Sequence, residues 1–417
     1  MNSRPGGRCR PFEERKTLMR NTVLGMASLI VAAGVAATPA QADVGIGLVG
    51  GITGGTAALA PEMMKSYQFA VKQVNDQGGI KNGEKLIGVV ADDGCNAQTG
   101  VDAVTKVVNV SQVVGMAGPW CSGVVLAVAN SVTIPAGVVL ITPAGTSPQI
   151  TALKDNDLVF RTVPSDEYQG QVLARTLLAR GTTKVALSFI NNDYGKGLAD
   201  AFQKEFVAKG GTVAARAAHE ENRASYRTDL AQLAKGGADT LVLIDYGDSS
   251  GLTVLRESIE NDFFKTYVGG EGMKTTATIK TIGSKNLANF YVSSPVSEKS
   301  QSLEVFASGF KSAGGDPNAT FVSTSYDAVF LLALAIEQTG GDKTKISAAL
   351  RNLVDAAGES IMPGEWAKAK ALIAAGKPIS YKGASGTLAF DANGDVPGAY
   401  ALFKVNGDDF QFVTDMK

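Results

Sequence analysis

Glu271 sits between glycines in Gly269-Gly270-Glu271-Gly272, directly after an apolar run that reads as a strand. Glycine on either side leaves a carboxylate at a strand end free to enter a cleft and pair with a cation, although an exposed turn has the same pattern. Two other strand-end loops carry small hydroxyl residues. Trp120-Cys121-Ser122-Gly123 opens a helix, and so does Thr142-Pro143-Ala144-Gly145-Thr146-Ser147-Pro148, with Ser147 as N-cap and Pro148 at the first helical position. Helix starts with free N–H groups and hydroxyls suit a carboxylate, and plain capping uses the same residues. A carboxylate on one side and an anion-binding loop on the other suit a zwitterion such as an amino acid. Asn191-Asn192-Asp193-Tyr194-Gly195 and Asp245-Tyr246-Gly247-Asp248 occupy the same kind of position.

Other chemistry has little material. The sole histidine, His219, lies in a polar stretch and is expected at the surface; one histidine builds no His-rich metal site. No Gly-x-Ser-x-Gly elbow or Walker-type loop is present. Gly45-x-Gly47-x-x-Gly50 matches the dinucleotide fingerprint, but its glycines fall within the strand, the helix starts only near Pro61, and no acidic residue stands about twenty positions on. The adjacent pairs Asp92-Asp93 and Asp408-Asp409 would point to opposite faces of a strand and read as loop charges. Neither an enzyme nor a cofactor or metal is expected.

The N-terminus reads as a secretory leader over 1–42. Arg15, Lys16 and Arg20 precede an apolar run, and Ala40-Gln41-Ala42 forms a small-residue cleavage site, with Met19 an alternative start. Removing it takes six basic and two acidic side chains from a chain of formal net charge −1, and the remainder is mildly acidic. Clustered cationic surface for nucleic acid is not expected. The leader also takes Cys9, so that Cys95 and Cys121 remain. In a reducing compartment they would be free buried thiols, and after export a bridge is the favoured state.

These loops are positioned by alternating strands and helices. Strands are expected at 44–49, 86–91, 113–117, 138–141, 184–190, 211–217, 240–244 and 266–269, with helices between them. Continuous apolar runs of this length are strands buried on both faces, and the alternation implies parallel sheets. Extended stretches at 160–164 and 291–295, and a point near 383–385, are candidate crossings between two lobes. The first lobe takes 43–162 and 293–385, the second 163–292 and 386–417. The tail is expected to form a hairpin of 386–390 with 399–405 around Asp391-Ala392-Asn393-Gly394.

The ordered series Asn75-Asp76-Gln77-Gly78-Gly79, Asp92-Asp93-Gly94-Cys95, Trp120-Cys121-Ser122, Asp193-Tyr194-Gly195, Gly270-Glu271-Gly272, Ser325-Tyr326-Asp327 and Phe390–Asp395 resembles the periplasmic leucine/isoleucine/valine-binding proteins, receptors of ABC importers. The resemblance implies an α/β type I periplasmic-binding-protein fold: two lobes, each a mainly parallel sheet flanked by helices, joined by three crossover segments. It implies a Cys95–Cys121 disulfide, Ser122, Gly145 and Thr146 on the ligand carboxylate, and Glu271 on its ammonium. Tyr194 would form an aromatic wall, with Tyr246, Phe321 and Leu59 nearby; Leu59 stands where the family commonly has tryptophan. It further implies a monomeric periplasmic receptor that delivers an amino acid, branched-chain or related, to a membrane permease. Receptors for amides, urea or aromatic acids, an exported enzyme, and a sensor module are the alternatives. The loop with Tyr246 and Asp248 departs from the family's aromatic-rich version, and 361–381 is extra.

Overall fold

The computed structural model describes residues 43–354 and 357–417; the leader assigned to 1–42 lies outside them. Five parallel strands form the first sheet: β1 (Val44–Gly50), β2 (Leu86–Asp92), β3 (Gly115–Ala117), β4 (Val139–Thr142) and β5 (Val159–Arg161), in the order β2-β1-β3-β4-β5. The second sheet contains β6 (Lys184–Ile190), β7 (Thr212–His219), β8 (Thr240–Ile244), β9 (Thr266–Gly269) and β10 (Phe290–Val296), mutually parallel. A short pair, β11 (Glu359–Ile361) and β12 (Ile379–Tyr381), flanks helix Trp366–Ala374. An antiparallel pair, β13 (Ala399–Asn406) and β14 (Asp409–Met416), completes the second sheet, whose order is β14-β13-β10-β9-β8-β6-β7. This is the two-lobe α/β fold expected from the alternation of strands and helices.

Apolar spacing explains the packing. Helix Ala60–Asp76 starts with Pro61 in its first turn and buries Met63, Tyr67, Ala70 and Val74, one stripe at a period of three to four. Helix Val322–Thr339 is buried almost all round and centres the first lobe's core, with Trp366 and Tyr381 against it. Trp366 Nε1 donates to Gly79 O at 3.0 Å, so the extra segment is bound to the first lobe.

Two expectations are corrected. The stretch 160–164 does carry the chain out of the first sheet, since β5 ends at Arg161, but 291–295, expected as a second crossing, is part of β10, which pairs with β9 and β13 in the second sheet as far as Val296. The tail hairpin is β13 with β14 around Gly407, while Leu388, Phe390 and Val396 pack in the first lobe's core and the chain enters the second sheet only at Ala399. Asp391 to Asp395 is a turn all the same: Asp391 Oδ1 accepts from Asn393 N and Asp395 N. Its Gly394 (φ 76°) lies so close to β5 that a Cβ would fall 2.4 Å from Val159 O. That turn aims Asp395 at Arg161 instead of starting a strand.

Candidate functional site

Loops at the carboxyl ends of both sheets face each other across a small, tightly closed cavity. Ser122, Leu59, Tyr194, Tyr246, Glu271 and Phe321, all singled out from the sequence, line it. Thr56, Met63, Trp120, Ala144 and Gly272 complete the lining.

On the first lobe, the Cys95–Cys121 disulfide, with Cα atoms 5.5 Å apart, fixes the loop that carries Ser122. Ser122 Oγ accepts from Thr146 N at 3.2 Å and Ser147 N at 3.1 Å, so its own hydrogen remains to be donated. Gly145 N donates to Thr142 Oγ1 at 2.8 Å. Gly145 and Thr146 therefore stand behind the lining, the Gly145 amide used inside the loop and the Thr146 amide on Ser122. Buried Arg161 anchors that loop from below: Nη1 donates to the carbonyls of Thr146 and Ser147 at 3.1 and 3.2 Å, and Nε and Nη2 grip Asp395 at 2.5 Å.

On the second lobe, Asn192 caps helix Asp193–Ala208 and sets Tyr194 in its first turn; Tyr194 stacks on Tyr246 with ring centroids 5.1 Å apart. Gly270 makes room for this: a Cβ there would fall 2.5 Å from the Tyr194 hydroxyl. Glu271, buried, accepts from Gln169 Nε2 at 2.6 Å. Burial pushes its carboxyl above the usual range, against the hydrogen bond from Gln169.

Two residues of this site were not read from the sequence. Ser165 caps helix Asp166–Ala179, placing Asp166 and Gln169 one turn apart on the same face, toward Glu271. Asp166 is fully buried, and neither of its oxygens has a hydrogen-bond partner. Burial, then the charge of Glu271, raise its carboxyl well above normal, with Arg161 opposing. Thr146 Oγ1, Gln169 Oε1 and the Tyr194 hydroxyl are likewise buried without partners. The Ser165 cap and the polar i, i+3 pair behind the first crossing were the available signal.

His219 corrects another expectation. It is buried, with Nδ1 2.9 Å from Ser188 Oγ and Nε2 2.6 Å from Asp245 Oδ2, where Ser250 also donates. A polar neighbourhood in sequence suggested surface, but the end of β7 lies against β6 and brings His219 to buried polar partners. Ser188, His219 and Asp245 are the residue types of a hydrolase triad, yet none of them lines the cavity. Asp245 instead accepts from Tyr246 N at 2.7 Å and steadies the aromatic wall. Asp93, expected as a loop charge, is also buried; burial raises it to about 7, and it accepts from Cys95 N at 2.8 Å. Asp248 is exposed and outside the lining.

Residues 62–408 match the model of the receptor family ligand binding region. The Leu/Ile/Val-binding protein homolog 3 of Brucella melitensis is 30% identical over 378 residues, covering 88% of this chain and 93% of that protein. The chain belongs to the Leu/Ile/Val-binding protein family. The leucine-, isoleucine-, valine-, threonine-, and alanine-binding protein of Pseudomonas aeruginosa is 29% identical, over 76% of this chain and 85% of its own. Among solved structures, the substrate binding protein LivJ of Streptococcus pneumoniae, in complex with isoleucine, superposes with a TM-score of 0.74 at 22% identity, covering 89% of this chain and 99% of that one. A solute binding protein of R. palustris in complex with benzoate shares the fold at a TM-score of 0.73 and 17% identity, over 89% of this chain and 96% of its own.

Proposed function

We propose that this protein is the periplasmic receptor of an ABC importer, binding an amino acid with a branched or similar apolar side chain and passing it to the membrane permease. One observation carries the reading. Both oxygens of Asp166 and Gln169 Oε1 are buried acceptors without partners, gathered behind Glu271, which itself lines the cavity. Buried acceptors in such number complement a multiple donor with positive charge, which is what an α-ammonium supplies. Ser122 faces them with a free hydroxyl hydrogen for the carboxylate. Leu59, Met63, Trp120 and Phe321 offer an apolar surface to the side chain.

Aromatic acids fit this cavity poorly, because a ligand without an ammonium would leave two buried carboxylates facing its own negative charge. On this reading Ser122 and Glu271 serve binding. Glu271→Gln keeps the shape but removes the charge, and titration calorimetry with leucine, isoleucine and valine should show affinity reduced by about tenfold or more. Unchanged affinity for a bound amino acid would remove Glu271 from the role of ammonium partner.

A further inference from the structure

Phe321 lines both the ligand cavity and a separate groove of about 410 Å³. Lys274, Phe403, Phe410 and Phe412 from the second lobe and Leu303 and Thr320 from the first form much of its wall. Lys274 follows directly on the turn that presents Glu271, and its ammonium lies 4.7 Å from the centroid of the Phe403 ring. Among the described residues it forms no ion pair; Asp409 and Asp316 act on it only at longer range. Asp409 also lines the groove, with Oδ1 accepting from Phe410 N at 2.7 Å, and Asp316 Oδ1 accepts from Asn318 N at 3.0 Å. Burial draws the Lys274 ammonium below the usual lysine range.

Thr320 supplies an independent observation. It is 7% exposed, and its hydroxyl has no hydrogen-bond partner. A lone cation and an unused hydroxyl beside aromatic surface complement a small anion that carries an apolar body.

We propose that this groove is a second binding site, distinct from the amino-acid cavity, for a small apolar monocarboxylate whose anionic end meets Lys274 and Thr320 and whose body lies against Phe403, Phe410 and Phe412. Both lobes build the groove, and Phe321 is shared with the cavity, so an occupant bears on cleft closure. Any effect of the monocarboxylate on amino-acid affinity must be matched by an equal effect in the other direction.

Benzoate is the probe, titrated calorimetrically into the mature chain, with benzylamine as the charge control. Benzoate is expected to bind and benzylamine not to. Lys274→Met should weaken benzoate about tenfold and Thr320→Val severalfold, as loss of a charged and a neutral donor implies. Ser122→Ala and Glu271→Gln should leave benzoate binding in place. Absence of benzoate binding, its persistence in Lys274→Met, or its loss in Ser122→Ala each overturns the proposal, the last by placing benzoate in the amino-acid cavity. Thermal midpoints report whether the variants fold, and Lys274→Gln with Thr320→Val carries the test if Lys274→Met does not.

Discussion

At the scale of residues, the site is an arrangement of two buried carboxyls, Asp166 and Glu271, that form no ion pair among the described residues. Burial raises the protonation range of both, and the charge of Glu271 adds to the rise at Asp166, within a buried setting that also holds Tyr194, Tyr246 and Tyr400, while Arg161 is committed to Asp395. Both carboxyls sit higher in the folded, ligand-free protein than in the unfolded chain. Their contribution to stability is therefore complete below the ordinary carboxylate range, near pH 4, and is lost as pH rises through the raised range. The ligand-free protein should show a thermal midpoint that declines over that interval, and Asp166→Asn should flatten the decline. A profile identical in wild type and Asp166→Asn would show that this carboxyl titrates normally. Glu271 was legible in the sequence because glycines mark it. Asp166 was not, because an acidic residue at a helix start reads as ordinary capping until a second carboxylate is found facing it. His219 was misread for a similar reason, since its partners Ser188 and Asp245 come from other strands.

At the scale of elements, the alternation of strands and helices was legible because strands covered on both faces must be apolar throughout. The crossings were less so. An extended, Pro-containing stretch looks alike whether it ends a strand or links two lobes, and β10 pairs as far as Pro295 and Val296 with β13. The tail was misassigned because Asp391-Ala392-Asn393-Gly394 has hairpin composition but serves as a loop that delivers Asp395 to Arg161. The disulfide is the element that holds the Ser122 loop against the end of β2. It closes a loop with a sequence separation of 26, and in the chain-entropy model such a bridge contributes roughly 3 kcal/mol. Chemical denaturation of Cys95→Ser/Cys121→Ser should show a loss of about that size. A midpoint unchanged from wild type would mean that the loop is held without the bridge.

At the scale of the whole molecule, loops from both sheets line one cavity, and on the proposed reading they are complementary halves of one recognition site. Ser122 and its loop belong to the first sheet, while Glu271, Tyr194 and Tyr246 belong to the second. A ligand that satisfies both halves at once favours the closed arrangement, because only there are all its contacts made. On the proposed reading neither half alone holds it well, so that recognition of the zwitterion and closure of the cleft would be one event. The most direct measurement compares leucine with two truncated analogues by titration calorimetry: 4-methylpentanoate, which lacks the ammonium, and isopentylamine, which lacks the carboxylate. Leucine is expected to bind, and each analogue to bind weaker by about a hundredfold or more, since each strands buried polar groups on one lobe. Binding of 4-methylpentanoate as tight as that of leucine, or no binding of leucine, isoleucine or valine at all, would show that the acidic cluster around Glu271 does not recognise an amino acid.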